Sequence, residues 1–152
     1  LHEPYRRQRQ MCIRDSLNAA MPDDLPVFAV TDPVMKPGKI AYASFVMTVD
    51  PEGRDAGALA QQLTELFHRD SLVVPKHTKS GFIDFDIRPY LDRVEVCPVE
   101  GKVEIRAMLP AGSEMNVNPS LLLEAVQKEL GLDLYTQIRR TNLYDEQFHA
   151  FQ

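Results

Sequence analysis

Cysteine is nearly missing from this 152-residue chain: Cys12 and Cys97 are its only two thiols. A [4Fe–4S] cluster or a Cys₃His or Cys₄ zinc site needs three or four clustered thiolates, so neither can be built here. Histidine is sparse as well. His68, His77 and His149 lie too far apart in sequence to suggest a metal site, and each reads as a surface residue. The chain has no Gly-rich phosphate loop, no GxGxxG string and no serine in a nucleophile-elbow context. No apolar run approaches the length of a membrane span, so no membrane partner is expected. What the chain does carry is acid: 22 carboxylates against 17 lysines and arginines, for a net charge of -5. That balance argues against broad polyanion binding but allows a local basic patch.

One stretch stands apart from the rest. Residues 6–16, RRQRQMCIRDS, resemble the in-frame translation of a sequencing-library transposon adapter, and Leu1 and His2 resemble the end of the primer before it. The alternative is a genuine basic arm. On the adapter reading residues 1–16 are non-native and have no packing role. The chain is then a truncated metagenomic fragment of a gene that begins upstream of Leu17. Setting aside its four arginines and two carboxylates lowers the net charge from -5 to -7. Cys12 goes with them, and Cys97 alone cannot form an internal disulfide.

Residues 17–39 read as the end of a truncated first domain and a linker. Leu17–Met21 ends a helix that Pro22 stops, Leu25–Thr31 suits a strand, and Pro33 to Lys39 has linker composition. From Ile40 the pattern is regular. Ala41, Ala43, Phe45, Met47 and Val49 alternate with Tyr42, Ser44 and Thr48, which predicts a half-buried strand. Asp55 is an N-cap candidate for a helix carrying Leu59, Leu63, Leu66 and Phe67 and ending near His68 to Asp70. Strands are expected at Leu72–Lys76, with Pro75 marking an edge or bulge, at Phe82–Arg88, at Val94–Val96 and at Lys102–Leu109. Asn118 caps a second helix with Pro119 in its first turn, Leu122, Leu123, Val126 and Leu130 on its apolar face, and Gly131 ending it. Leu134–Leu143 is the last strand, and residues 145–152 are a tail expected to fray.

This order predicts an α+β fold: a ferredoxin-like βαββαβ sandwich over residues 40–144, with an extra β-hairpin near Phe82 to Val96. Two spots concentrate chemistry. Lys76, Thr78 and Lys79 flank a Gly81 turn, with Asp86 and Arg88 close behind; a basic hairpin tip of this kind can hold a phosphate. The plainer reading is a polar hairpin with an Asp86–Arg88 contact. Arg139, Arg140 and Thr141 form a second basic spot near the end of the last strand, where neighbouring side chains point to opposite faces. Asp84 and Asp86 share a strand face, as catalytic pairs do and solvated strand residues more often do. On an open ferredoxin-like face, Tyr42 and Tyr135 are the outward aromatics available to stack on single-stranded RNA.

His77 to Pro89 (HTKSGFIDFDIRP) and Ile138 to Tyr144 (IRRTNLY) resemble the two signatures of the radical-SAM-linked proteins of bacteria, "TK.G...vDIRP" and "I.RT.LY". LNAAMPDDLPVFAV, from Leu17, is similar to that family's "LN..LP.GL.V" segment. The matching positions are Thr78, Lys79, Gly81 and Asp86 to Pro89, then Ile138, Arg140, Thr141, Leu143 and Tyr144. Phe82 to Phe85 depart from the family's more polar link, and its "QGFNPHP"-like motif is absent. The resemblance implies a cytoplasmic bacterial protein encoded beside, or fused to, a radical-SAM enzyme, which would be its partner. No cofactor or metal of the chain's own is implied. The first function expected is an accessory module that helps recognise an RNA substrate, with Lys76, Lys79, Arg88 and Arg140 on phosphates. The alternatives are a protein–protein docking module without nucleic-acid contact, and half of an enzyme site completed by a missing half.

Overall fold

The computed structural model of the chain describes residues 3–151. Leu1 and His2, part of the adapter-like segment, and Gln152, the last residue of the expected tail, lie outside the described residues. The chain divides into two compact units, the first running through Met35 and the second spanning Lys36–Phe151.

The first unit is one helix and an irregular return. α1 (Glu3–Ala20) buries none of its residues. It ends just before Pro22, at the stop read from the sequence. The strand expected at Leu25–Thr31 does not form. Pro26 and the lack of a partner strand are the reason: both backbone groups of Val27 bond to the Asn18 side-chain amide instead, at 2.7 and 3.0 Å. Phe28 is left 91% exposed. Within this unit Arg6 pairs with Asp32.

The second unit opens on a 3₁₀ turn (Pro37–Lys39) and continues with β1 (Tyr42–Val49) and α2 (Ala56–Phe67), followed by β2 (Val73–Thr78) and β3 (Gly81–Asp86). A second 3₁₀ turn (Arg88–Tyr90) leads into β4 (Val94–Val99) and β5 (Lys102–Pro110), then α3 (Ser120–Leu130) and β6 (Thr136–Tyr144). The main sheet has the order β4-β5-β1-β6, and each of its neighbouring pairs is antiparallel. α3 joins β5 to β6 on either side of β1, and α2 with the β2–β3 hairpin joins β1 to β4 on either side of β5, which is the split βαβ arrangement of ferredoxin-like folds. The α+β class and the element order agree with the sequence reading. The extra hairpin does not lie where it was expected: β2 and β3 form it, and β4 belongs to the main sheet. The physical reason is the tight turn at Lys79–Ser80, which pairs Thr78 with Gly81, and the 3₁₀ turn that swings the chain away after Asp86.

The core lies between the main sheet and α2 and α3. Ala43, Met47 and Val49 of β1 and Val103, Ile105, Ala107 and Leu109 of β5 are buried, as their period-two pattern requires. Asp55 caps α2 by accepting the Ala58 N–H at 2.8 Å. Gly131 ends α3 at φ 66°, a left-handed conformation that favours glycine. α3 starts at Ser120, later than the Asn118 cap implied, although Asn118 Oδ1 still accepts the Ser120 N–H at 3.0 Å. Leu121 joins Leu122, Ala125 and Val126 on its buried face, while Leu123 is only partly buried. α3 packs on β2, and Lys128 Nζ donates to Val73 O at 2.7 Å. β6 therefore stays largely exposed.

Candidate functional site

The hairpin motif serves mainly to join elements. Asp86 Oδ1 accepts the backbone N–H groups of Leu72 (2.8 Å) and Arg88 (3.0 Å), and Oδ2 accepts the Ser71 hydroxyl (3.0 Å). The Leu72 and Arg88 N–H bonds hold the Asp86 carboxyl below its ordinary range; burial opposes them, and the Ser71 bond and the Arg88 charge add to them. The Asp86–Arg88 side-chain contact considered from the sequence does not form. The Arg88 guanidinium bonds Asp92 Oδ1 at 2.7 Å instead, because the 3₁₀ turn brings the i+4 residue beneath it. Ile87 between them is fully buried. Asp84 is exposed and sits apart from these bonds.

At the hairpin itself, Lys76 Nζ donates to Asn116 O at 2.8 Å and lies 4.4 Å from the Phe85 ring centroid. Thr78 donates across the turn to Gly81 O at 2.8 Å. Lys79 is exposed at the tip. The cations of this motif therefore do not converge on one point: Lys76 and Arg88 are bound within the fold.

The second motif lies on β6, in the other sheet. Between Ser44 and Phe45 the pairing of β1 with β6 shifts by one residue, and Thr141 is the extra residue of that bulge. Its hydroxyl lies 2.7 Å from Ser44 Oγ and donates to Ser44 O at 3.2 Å. Arg140 pairs with Phe45 on the helix side of the sheet, and Arg139 pairs with Val46 on the open side. Both are exposed. The arginines are thus split between faces, as strand geometry demands.

The sequence reading missed a cleft of about 820 Å³ on the open face, lined by Tyr42, Tyr90, Asp92, Arg93, Met108, Glu114, Glu146 and Phe148 among others. A shallower depression shares Asp92, Arg93 and Met108 with it and adds Ser44, Arg106, Thr141 and Tyr144. Residues next to the first motif and within the second thus line one continuous surface. The tail expected to fray forms part of it. Asp145 Oδ1 accepts the N–H groups of Gln147 (2.9 Å) and His149 (2.8 Å), and Phe151 N–H donates to Leu143 O at 2.8 Å. Burial pushes the Asp145 carboxyl up, but the bonds from His149 and Gln147 outweigh it and leave it below its ordinary range. This turn stacks Phe148 on Tyr42, with ring centroids 4.6 Å apart, and sets Arg93 3.8 Å from the same ring's centroid. The proline-free aspartate-capped turn at Asp145 was the available signal in the sequence.

Among the described residues no group of acidic, histidine or cysteine side chains is arranged to hold a metal. Cys97 is half-buried on β4, its Sγ 3.9 Å from Glu104 O. No helix among the described residues is long and apolar enough to cross a membrane.

Topology and surface together define an α+β domain of ferredoxin-like architecture with a mixed-charge cleft on its open sheet face. The chain belongs to the DUF2344 family of uncharacterised proteins conserved in bacteria, which matches residues 6–119. No curated protein and no solved structure matches it.

Proposed function

We propose that this domain is a protein-docking module, with a radical-SAM enzyme subunit or domain as its partner and the bacterial cytoplasm as its location. The observation that carries the docking reading is electrostatic. Lys76 and Arg88, two of the four cations expected to hold phosphates, are bonded to Asn116 and Asp92. The cleft meanwhile is lined by three carboxylates, Asp92, Glu114 and Glu146, as well as Arg93. A surface of that kind repels a polyanion and suits a basic or mixed-charge protein partner. The partner's identity rests on the resemblance of the TK.G…DIRP-like and I.RT.LY-like segments. Co-expression with a radical-SAM enzyme encoded in the same genome tests it: stable co-purification is expected, and independent elution of the two chains overturns it.

RNA recognition is the second reading, supported by the exposed Lys79, Arg139 and Arg140. It requires the affinity for single-stranded RNA to fall with salt at a log–log slope of about -0.7 per contacted phosphate. The adapter origin of residues 1–16 is also a proposal. Its support is the in-frame string and a helix that buries nothing; the family match beginning at residue 6 counts against it. Sequencing the source locus across the Leu17 codon decides between them.

A further inference from the structure

We infer that the slot formed by Tyr42 and Arg93 is a pocket for an aromatic side chain on a basic, extended segment of a partner protein, and that Phe148 fills it until the partner arrives. The inference rests on the docking reading and specifies the chemistry of what docks. Tyr42 and Arg93 approach the Phe148 ring to 4.6 and 3.8 Å between centres. Two groups that close to one ring centre must occupy its opposite faces. An aromatic ring held between a tyrosine and a guanidinium combines stacking with cation–π attraction, which suits a phenylalanine, tyrosine or tryptophan side chain.

The present occupant is peptide, and it shows how a peptide fits. Residues 145–151 turn back on the end of β6, Ala150 bridges Tyr144, and Phe151 N–H bonds Leu143 O. A partner strand that replaced this strap would take over the same main-chain groups, as in strand addition to a sheet edge. The strap is held under a constraint: Phe148 adopts φ 62°, a conformation that side-chain-bearing residues seldom take. The Asp145 bonds to Gln147 and His149 hold it there. Asp92 is answered by Arg88, whereas Glu114 and Glu146 have no ion-pair partner among the described residues. Those two carboxylates select a basic flank on the incoming segment and disfavour the phosphates that would accompany a nucleobase.

The test uses the whole chain and three probes: the capped peptide Lys-Arg-Phe-Arg-Lys, the same peptide with alanine replacing phenylalanine, and a short oligouridylate. The phenylalanine peptide is expected to bind and the alanine peptide to bind at least tenfold more weakly. In the unaltered protein, bound peptide should abolish the Tyr42–Phe148 ring-to-ring NMR cross-peak, a readout that needs no variant. Phe148→Ala removes the internal competitor and should tighten peptide binding about tenfold, as freeing an occupied site does; Arg93→Ala should weaken it by a similar factor. Equal binding of the two peptides, a persistent cross-peak, or displacement of Phe148 by oligouridylate alone would overturn the inference. Co-purification of the radical-SAM enzyme with the unaltered and Arg93→Ala chains alike would sink the slot and leave the docking reading standing. Displacement of Phe148 by the peptide, without co-purification, would do the reverse.

Discussion

Replacing Asp86 with alanine removes three hydrogen bonds at one stroke. The carboxylate ties Leu72 N–H, at the entry to β2, to Arg88 N–H, at the exit from β3, and takes the Ser71 hydroxyl as well. Bonds to a charged acceptor contribute about 1.5–3 kcal/mol each when buried and less when partly solvated. These three are part-buried or exposed, so the expected cost of Asp86→Ala is about 2–4 kcal/mol. Asp86→Asn keeps one carbonyl acceptor and should cost roughly half as much. Urea unfolding followed by far-UV circular dichroism measures both. The pH dependence has a definite sign. Because the folded carboxyl lies below its ordinary value of 3.8, its contribution is complete above that pH and is lost as pH falls through the lowered folded value. Asp86→Ala should therefore flatten the acid limb of the stability profile. A variant within about 0.5 kcal/mol of the parent, the scatter of ordinary surface changes, would refute the structural role and return Asp86 to the ligand-binding reading.

Arg88→Ala breaks only a pair with the 76%-exposed Asp92, so its unfolding free energy should drop by no more than about 1 kcal/mol, rather than the ~3–5 kcal/mol of a broken buried pair. Gly131→Ala places a side chain at φ 66° and should lower stability by about 1 kcal/mol, read as a shift in urea midpoint without a change in slope. Removing residues 1–16 deletes part of a helix with no buried residue; the melting temperature of the remainder should stay within about 1 °C, and a larger fall would show that α1 supports the fold. Acidification should release the residue 145–151 strap as Asp145, whose carboxyl is held below its ordinary range, gains a proton. The Tyr42–Phe148 cross-peak should survive above the ordinary value of 3.8 and fade below it.

The elements that were legible in the sequence are those whose local chemistry and tertiary role agree. The alternating residues of β1 and β5 face a core that needs that period, and Asp55 and Gly131 delimit helices by backbone rules that tolerate few substitutes. The hairpin was misplaced because periodicity identifies strands but not their partners; the pairing of β2 with β3 depends on a two-residue turn and on where the chain bends after Asp86. Leu25–Thr31 had the apolar content of a strand and no strand to pair with. Of the candidate site, Thr78, Lys79 and Arg140 stood out by residue type. The roles of Lys76, Asp86 and Thr141 did not, because each is defined by a partner distant in sequence: Asn116, Leu72 and Ser44. The open-face cleft was hidden for the same reason, since Tyr42, Arg93 and Phe148 share no motif.

The sheet order has a consequence for how the chain is made. β1 lies at the centre, yet one of its neighbours is the last strand, and Tyr42 pairs with Tyr144. A nascent chain therefore carries β1 with one side unpaired until about a hundred further residues have been added, and at ribosomal rates of ~5–20 residues per second that interval is several seconds or more. Pairings of such long sequence separation also slow folding, because the loop must close before any contact rewards it. During that wait the exposed side of β1 offers the backbone groups through which chains aggregate. Yield from this gene should accordingly respond to translation speed and to chaperones that shield unpaired strands, even where the finished domain is stable.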